Sequence, residues 1–238
     1  MNKQKIVIVV PTYNEKKNIK DLIDRIFRTV PKIYVVVVDD SPNKETIDEV
    51  KKLSKKYPRL KSIYRGSKLG RGSAVIEGFS YAKRTINPDI YIEIDADLSH
   101  DPKELNKIIS QSKENTVVVG SRYVKGSKIV NWPLERRIAS KFSNLLVRTI
   151  LGIPMHDNTN GYRCYSRKAI GQVIKLKFIS GGYIVLSEMA FNLKKRGFSF
   201  VEVPIVFRNR RKGESSASIR EFLNAFFNMW KIRFHKYS

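Results

Sequence analysis

The sequence predicts an α/β fold, a doubly wound and mostly parallel sheet with helices on both faces. Three observations carry that prediction. Short unbroken runs of β-branched and aliphatic residues recur through residues 1–121. Between them lie stretches with apolar residues at three- to four-residue spacing, and polar or acidic residues cluster just after the strand-like runs. Alternation of this kind implies parallel strands joined by right-handed helical crossovers.

Taken in order, Ile6 to Val10 is β-branched throughout, as expected of a strand covered on both faces. The polar turn Tyr13-Asn14-Glu15 opens a helix with Ile19, Leu22, Ile23 and Ile26 on one face. Ile33 to Val38 is the next strand and ends in Asp39-Asp40; Glu45 to Lys56 is helical, Leu60 to Tyr64 a strand, and Ser73 to Arg84 a helix. Ile90 to Ile94 is a fourth strand ending at Asp95. Pro102 suits the first turn of a following helix, and Val117 to Gly120 is a fifth strand. Beyond Ser121 the pattern changes. Residues 122–136 read as a basic loop with Arg122, Lys125, Lys128, Trp132 and Arg136, followed by a helix over 138–150. A short strand at Tyr162 to Tyr165, a helix at Ser187 to Lys195, a strand from Phe200 to Phe207, a basic stretch to Ser216 and an aromatic helix over 218–236 complete the chain.

A composition of 42% hydrophobic and 29% charged residues is that of a globular protein and excludes a disordered one. The first ten residues are too short and too polar to be a secretory signal, and no run reaches the ~20 apolar residues needed to span a bilayer. The single cysteine, Cys164, excludes an internal disulfide and fits a reducing compartment, so a cytoplasmic location is expected. The charge is the outlier: 46 Lys and Arg against 22 Asp and Glu give +24. Such a field attracts polyanions, whether nucleic acid, an anionic membrane surface or phosphorylated substrates.

Three strands deliver acidic groups to their carboxyl ends, where open α/β sheets bind ligands. Asp95 and Asp97, two apart at a strand end, can face one side and bind a hard divalent cation, with pyrophosphate oxygens completing its coordination. Glu15 and Asp40 suit hydrogen-bond donors of a base or ribose, although each can equally serve as a helix-terminal acid; Asp39 is as readily structural. Gly70 and Gly72 lack the third glycine and the first-strand position of a dinucleotide fingerprint, which excludes a dehydrogenase.

With these residues assembled, the chain resembles the dolichol-phosphate mannose synthase group of family-2 glycosyltransferases almost end to end. The resemblance rests on VPTYNE at 10–15, VVDDSP at 37–42, KLGRGSA at 68–74, IDADLSHDP at 94–102 and GSRYVKG at 120–126. It continues in the Trp132/Arg136/Ser140/Asn144 spacing, D-x-T-N-G-Y-R from Asp157, GGY at 181–183, Glu188 and R-x-x-G-E-S from Arg210. It implies a GT-A nucleotide-diphospho-sugar transferase fold, a GDP-mannose donor, Mg²⁺ or Mn²⁺, and a polyprenyl (dolichyl) phosphate acceptor. Pro11, Tyr13, Glu15 and Asp40 would hold the nucleoside, Asp95 and Asp97 the metal, and Arg210 the donor phosphates. Arg122, Arg136 and Ser140 would flank the acceptor phosphate, with Asp97, Arg122 and Arg210 as the catalytic set. Residues 1–121 would form the nucleotide-sugar half and 122–216 the acceptor half of one catalytic domain, with 217–238 a C-terminal amphipathic helix. Ser99 stands where some relatives carry a glutamine at the metal, and Ser216 where relatives commonly carry a lysine.

The chemistry agrees with a phosphate acceptor. An alcohol nucleophile needs a general base, whereas a phosphate monoester is largely ionised at neutral pH and needs only positioning cations. Residues 121–144 are rich in Arg and Lys and hold one acid, Glu135. Direct displacement at the anomeric carbon, inverting the donor linkage, is expected. The last helix interleaves Phe222, Phe226, Phe227, Trp230 and Phe234 with Lys231, Arg233 and Lys236, a pattern suited to the cytosolic face of a membrane. Relatives commonly carry C-terminal membrane helices, so a membrane-anchoring partner protein is a further expectation. The competing readings are UDP-glucose as donor, a hydroxyl acceptor, and a basic nucleic-acid-binding protein. The last leaves the strand-end acids unexplained, since without a metal they would repel phosphate; no nucleic acid is expected as a partner.

Overall fold

The computed structural model describes residues 4–180, 184–209 and 219–237. Among them, seven strands form one sheet in the order β3-β2-β1-β4-β7-β5-β8. β1 (Ile6–Thr12), β2 (Tyr34–Asp39), β3 (Leu60–Tyr64) and β4 (Ile90–Glu93) pair in parallel, as do β5 (Thr116–Ser121) and β8 (Ser199–Pro204). β7 (Arg163–Ser166) lies between β4 and β5, antiparallel to both. The mostly parallel doubly wound sheet is therefore as the sequence predicts.

The reason for the unbroken apolar runs is visible in their partition. Val7 and Val9 of β1 join one core with Val36 and Val38 of β2, while Ile8 and Val10 join the opposite core with Val35 and Val37. All eight are completely buried. α1 (Lys16–Thr29) and α2 (Glu45–Lys56) cover one face through Ile19, Leu22, Ile23, Ile26 and Val50. α3 (Arg71–Thr85), α6 (Arg167–Val173) and α7 (Val185–Lys195) cover the other. α4 (Leu105–Ser110) follows a 3₁₀ turn at Pro102–Glu104, whose start is capped by the Asp101 carboxylate accepting from the Lys103 N–H.

Three expectations change. The strand expected over Phe200 to Phe207 divides at Ile205: β8 stays in the main sheet, and β9 (Val206–Arg208) pairs in parallel with a short β6 (Lys128–Val130). The basic loop expected over 122–136 thus contains a strand. It ends earlier than expected, because α5 runs over Leu134–Leu151. Arg167–Val173 is helical, its N-cap Ser166 accepting from the Ala169 N–H. α8 (Ile219–Phe234) packs against α5, with Met229 and Ile232 buried. Among the described residues no helix is long and apolar enough to cross a membrane.

Candidate active site

Because β2, β1 and β4 are neighbours, their carboxyl ends bring three acidic turns side by side. Two of those turns contain a non-glycine residue in left-handed backbone: Asn14 at φ 58° and Leu98 at φ 61°. Leucine has none of asparagine's tolerance for this region, so the turn after Asp97 is held there by its surroundings. The Ser99 N–H, donating to Asp97 Oδ1 at 3.0 Å, is part of that hold.

Asp95 is fixed from beneath. Arg71, at the start of α3, donates from Nε to Asp95 Oδ1 at 2.8 Å and from Nη1 to Glu93 Oε2 at 2.8 Å, and from Nη2 to the Gly161 carbonyl. Burial opposes the Arg71 charge, but the Asp95 and Glu93 carboxylates outweigh it and raise its pKa above the ordinary value. Glu93 is wholly buried and takes a second hydrogen bond from the Tyr165 hydroxyl at 2.7 Å. The guanidinium fits because residue 161 has no side chain; a Cβ there would overlap Arg71.

A second support reaches Asp95 through His100, which is fully buried. The Asn160 amide nitrogen donates to the Gly120 carbonyl, which leaves its oxygen facing His100 Nε2 at 2.5 Å. Nε2 therefore carries the proton, and Nδ1 accepts from the Asp95 N–H at 3.4 Å. This ties the Asp95 turn to the end of β5.

Asp95 and Asp97 offer hard oxygens of the kind Mg²⁺ and Mn²⁺ prefer. Among the described residues no group of three His, Cys, Asp or Glu side chains is arranged to hold a metal ion. Two carboxylates on one turn are a donor set that such an ion accepts. Ser99 is buried, and its backbone N–H donates to Asp97.

At the end of β1, Tyr13 is 42% exposed with Lys68 Nζ 5.0 Å above its ring, and Pro11 and Glu15 are half-buried. Glu15 Oε2 accepts from Asn18 Nδ2 at 2.8 Å. Asp40 is more committed than the sequence suggests. Its Oδ1 accepts from Arg65 Nε at 2.5 Å and its Oδ2 from the Leu69 and Gly70 N–H groups at 3.0 Å. Its visible work is to hold the 65–70 loop. Asp39 differs: Oδ1 accepts from Thr12 and Ser41, whereas buried Oδ2 has no hydrogen-bond partner. Of the two acids, Asp39 is the one with a spare acceptor.

Arg122 follows β5, buried and anchored. Its backbone N–H and Nε donate to Asp157 Oδ2 at 2.9 and 2.8 Å, and Nη2 donates to Asp157 Oδ1 at 2.7 Å and to Thr159. Burial works against its charge; Asp157 outweighs that and raises its pKa, with Asp95 also near enough to contribute. Beyond it opens a groove of about 630 Å³. Arg122, Arg137, Lys141 and Arg148 line it, together with apolar Leu134, Ile138 and Leu145 of α5. Arg137 Nε is buried with no hydrogen-bond partner. Arg136 instead lies 4.2 Å over the Trp132 ring and donates to Asn209, and Ser140 accepts from the Tyr123 hydroxyl at 2.6 Å. Arg210, the Arg210–Ser215 segment and the 181–183 segment lie outside the described residues.

Sequence reasoning passed over Arg71, Arg137, His100 and Asp157 as site residues. Arg71 and Asp157 stood inside motifs already singled out, and helical phase would have separated Arg137 from Arg136.

A mostly parallel doubly wound sheet with paired carboxylates just beyond β4 is the architecture of the GT-A nucleotide-diphospho-sugar transferases. The chain belongs to glycosyl transferase family 2, whose model matches residues 7–174. It is 34% identical over 234 residues to a polyprenol monophosphomannose synthase of Mycolicibacterium smegmatis, covering 97% of this chain and 88% of that one. It is 35% identical to a dolichol-phosphate mannosyltransferase of Pyrococcus furiosus, covering 95% of this chain and 64% of that protein's length. Glucosyl-3-phosphoglycerate synthase of Mycobacterium tuberculosis, crystallised with Mn²⁺, UDP and glucosyl-3-phosphoglycerate, superposes with a TM-score of 0.67. That likeness covers 97% of this chain and 80% of that one at 19% identity, and speaks to fold.

Proposed function

We propose that this glycosyltransferase moves mannose from GDP-mannose to a polyprenyl phosphate at the cytosolic membrane surface, inverting the anomeric configuration. The observation that carries the reading is the groove that Arg122 lines, where Arg137, Lys141 and Arg148 alternate along α5 with apolar Leu134, Ile138 and Leu145. The names of the curated relatives point to the same acceptor class.

A Mg²⁺ or Mn²⁺ ion held by Asp95 and Asp97 would supply Lewis-acid screening of the departing nucleoside diphosphate. The nucleoside would sit among Pro11, Tyr13, Glu15 and the Asp39–Asp40 turn, with residues 1–121 forming the donor half. Arg122, Arg136, Ser140 and Arg137 would flank the acceptor phosphate, arginine forks matching phosphate oxygens bidentately. Arg210 would reach the donor phosphates. No general base is required, because the acceptor is already ionised. Leu134, Ile138, Phe142 and Leu145, all more than half exposed along α5, would lie along the acceptor's hydrocarbon tail and the bilayer interface.

The test is a substrate matrix: labelled GDP-mannose or UDP-glucose, each with polyprenyl phosphate or the unphosphorylated polyprenol, with Mn²⁺ or excess chelator. Labelled lipid is expected only from GDP-mannose, polyprenyl phosphate and metal together. Transfer from UDP-glucose alone, or transfer to the free alcohol, would refute the donor or the acceptor assignment respectively.

A further inference from the structure

The C-terminal corner carries a second basic concavity, separate from the acceptor groove. It encloses about 520 Å³ between the ends of α7 and α8. Lys195, Arg196, Arg233, His235 and Lys236 line it, and none of its lining residues is acidic. Its walls are tied down rather than loose. Arg196 Nη1 donates to the Asn192 carbonyl and side-chain oxygens at 3.2 and 3.1 Å. The His235 N–H continues the hydrogen bonding of α8 to the Lys231 carbonyl. The Tyr237 hydroxyl donates to buried Glu188 Oε1 at 2.7 Å, pinning the tail to α7.

Next to this concavity α8 exposes aromatic surface. Phe227, Trp230 and Phe234 are 60%, 44% and 75% exposed, and their spacing of three and four residues puts them on one helical face. Trp230 and Phe234 stack at 6.0 Å. Basic residues are favourable near helix carboxyl ends, and two such ends meet here. That accounts for a cation or two, but not for five cationic or titratable side chains around one hollow, nor for the exposed rings.

We propose that this hollow binds the phosphate headgroup of an anionic phospholipid while Phe227, Trp230 and Phe234 insert at the interface beside it. Charge complementarity selects the occupant: cations facing a bilayer of anionic lipid gain attraction, and aromatics flanking them suit the headgroup level. A free phosphate or a nucleic acid would answer the cations and leave the aromatic face without a partner. The inference deepens the membrane-surface reading by adding a second attachment point at the carboxyl end of α8, sharing no lining residue with the α5 groove, which would fix how that groove meets the bilayer.

The experiment is vesicle co-sedimentation with phosphatidylglycerol/phosphatidylcholine or pure phosphatidylcholine liposomes. The variants are Lys195→Gln/Arg233→Gln/Lys236→Gln and a control, Lys32→Gln/Lys55→Gln/Lys61→Gln, around the β2–β3 edge. Each juxtamembrane cation contributes roughly fivefold in partitioning, so the first triple variant should bind anionic vesicles roughly a hundredfold more weakly. The control, with the same net charge, should lose far less. Phe234→Ser should weaken binding at high salt, where diffuse charge is screened. Mannose transfer to a short, water-soluble prenyl phosphate should be unchanged in the first triple variant, which separates this site from the catalytic reading. Equal loss in both triple variants would make the attraction a property of overall charge and overturn the proposal. Release by millimolar inorganic phosphate at constant ionic strength would make it a soluble-phosphate site, and loss of soluble transfer would make it part of the catalytic unit; each overturns the lipid assignment.

Discussion

Removing the Asp157 carboxylate should strand Arg122. The Arg122 side chain is 6% exposed and that of Asp157 fully buried, and three hydrogen bonds from Arg122 converge on the carboxylate. Breaking a buried pair from one side leaves an uncompensated charge and costs about 3–5 kcal/mol. In a chain of this length each kcal/mol corresponds to ~2–4 °C in Tm, so Asp157→Ala should lower Tm by roughly 6–20 °C. Replacing both partners with apolar groups removes the stranded charge; Arg122→Met/Asp157→Leu should therefore cost less than the sum of the single changes. Urea unfolding followed by tryptophan fluorescence is a suitable assay, since Trp132 lies 5.4 Å from the Arg122 guanidinium. A loss below ~1 kcal/mol for Asp157→Ala, or strict additivity in the cycle, would refute the account of Arg122 as a buried, carboxylate-anchored cation.

Two further outcomes follow from local geometry. Asp24 is partly buried, which alone would raise its pKa, but hydrogen bonds from Lys20, Tyr57 and Lys56 outweigh this and hold its carboxyl well below the usual range. A lowered folded-state pKa stabilises above the unfolded value of ~3.9, and that contribution fades as pH falls through it. Asp24→Asn should accordingly be destabilising at pH 7 and progressively less so toward pH 3 in urea midpoints; a difference independent of pH would contradict this. Gly161→Ala should displace the Arg71 guanidinium and loosen Asp95, raising the metal concentration needed for half-maximal transfer; an unchanged metal dependence would show that Arg71 does not set the Asp95 position.

The sequence makes the donor half readable because its strands are covered on both faces, so runs such as Ile6 to Val10 are apolar without interruption, and because the acids stand at strand ends. The features it hides are non-local or depend on rotation. β7 enters the sheet between β4 and β5 from some seventy residues beyond β4, a pairing that four residues of RCYS cannot announce. The division at Ile205 is invisible in an apolar stretch that reads as one strand. Arg136 and Arg137 are adjacent in sequence, yet one turns to Trp132 and Asn209 while the other lines the groove. The engagement of Asp40 is hidden for a similar reason: the Arg65 and Leu69–Gly70 partners that occupy it come from a loop whose path the pattern does not fix.

The most direct test of the central claim is mannose transfer from labelled GDP-mannose to polyprenyl phosphate by the wild-type chain and by Asp97→Ala, with folding checked by circular dichroism. The account predicts metal-dependent labelled lipid from the wild type and a loss of at least ~10²-fold in the variant, the scale at which removing one transition-state charge stabiliser is felt. Retained transfer by a folded Asp97→Ala protein would contradict it.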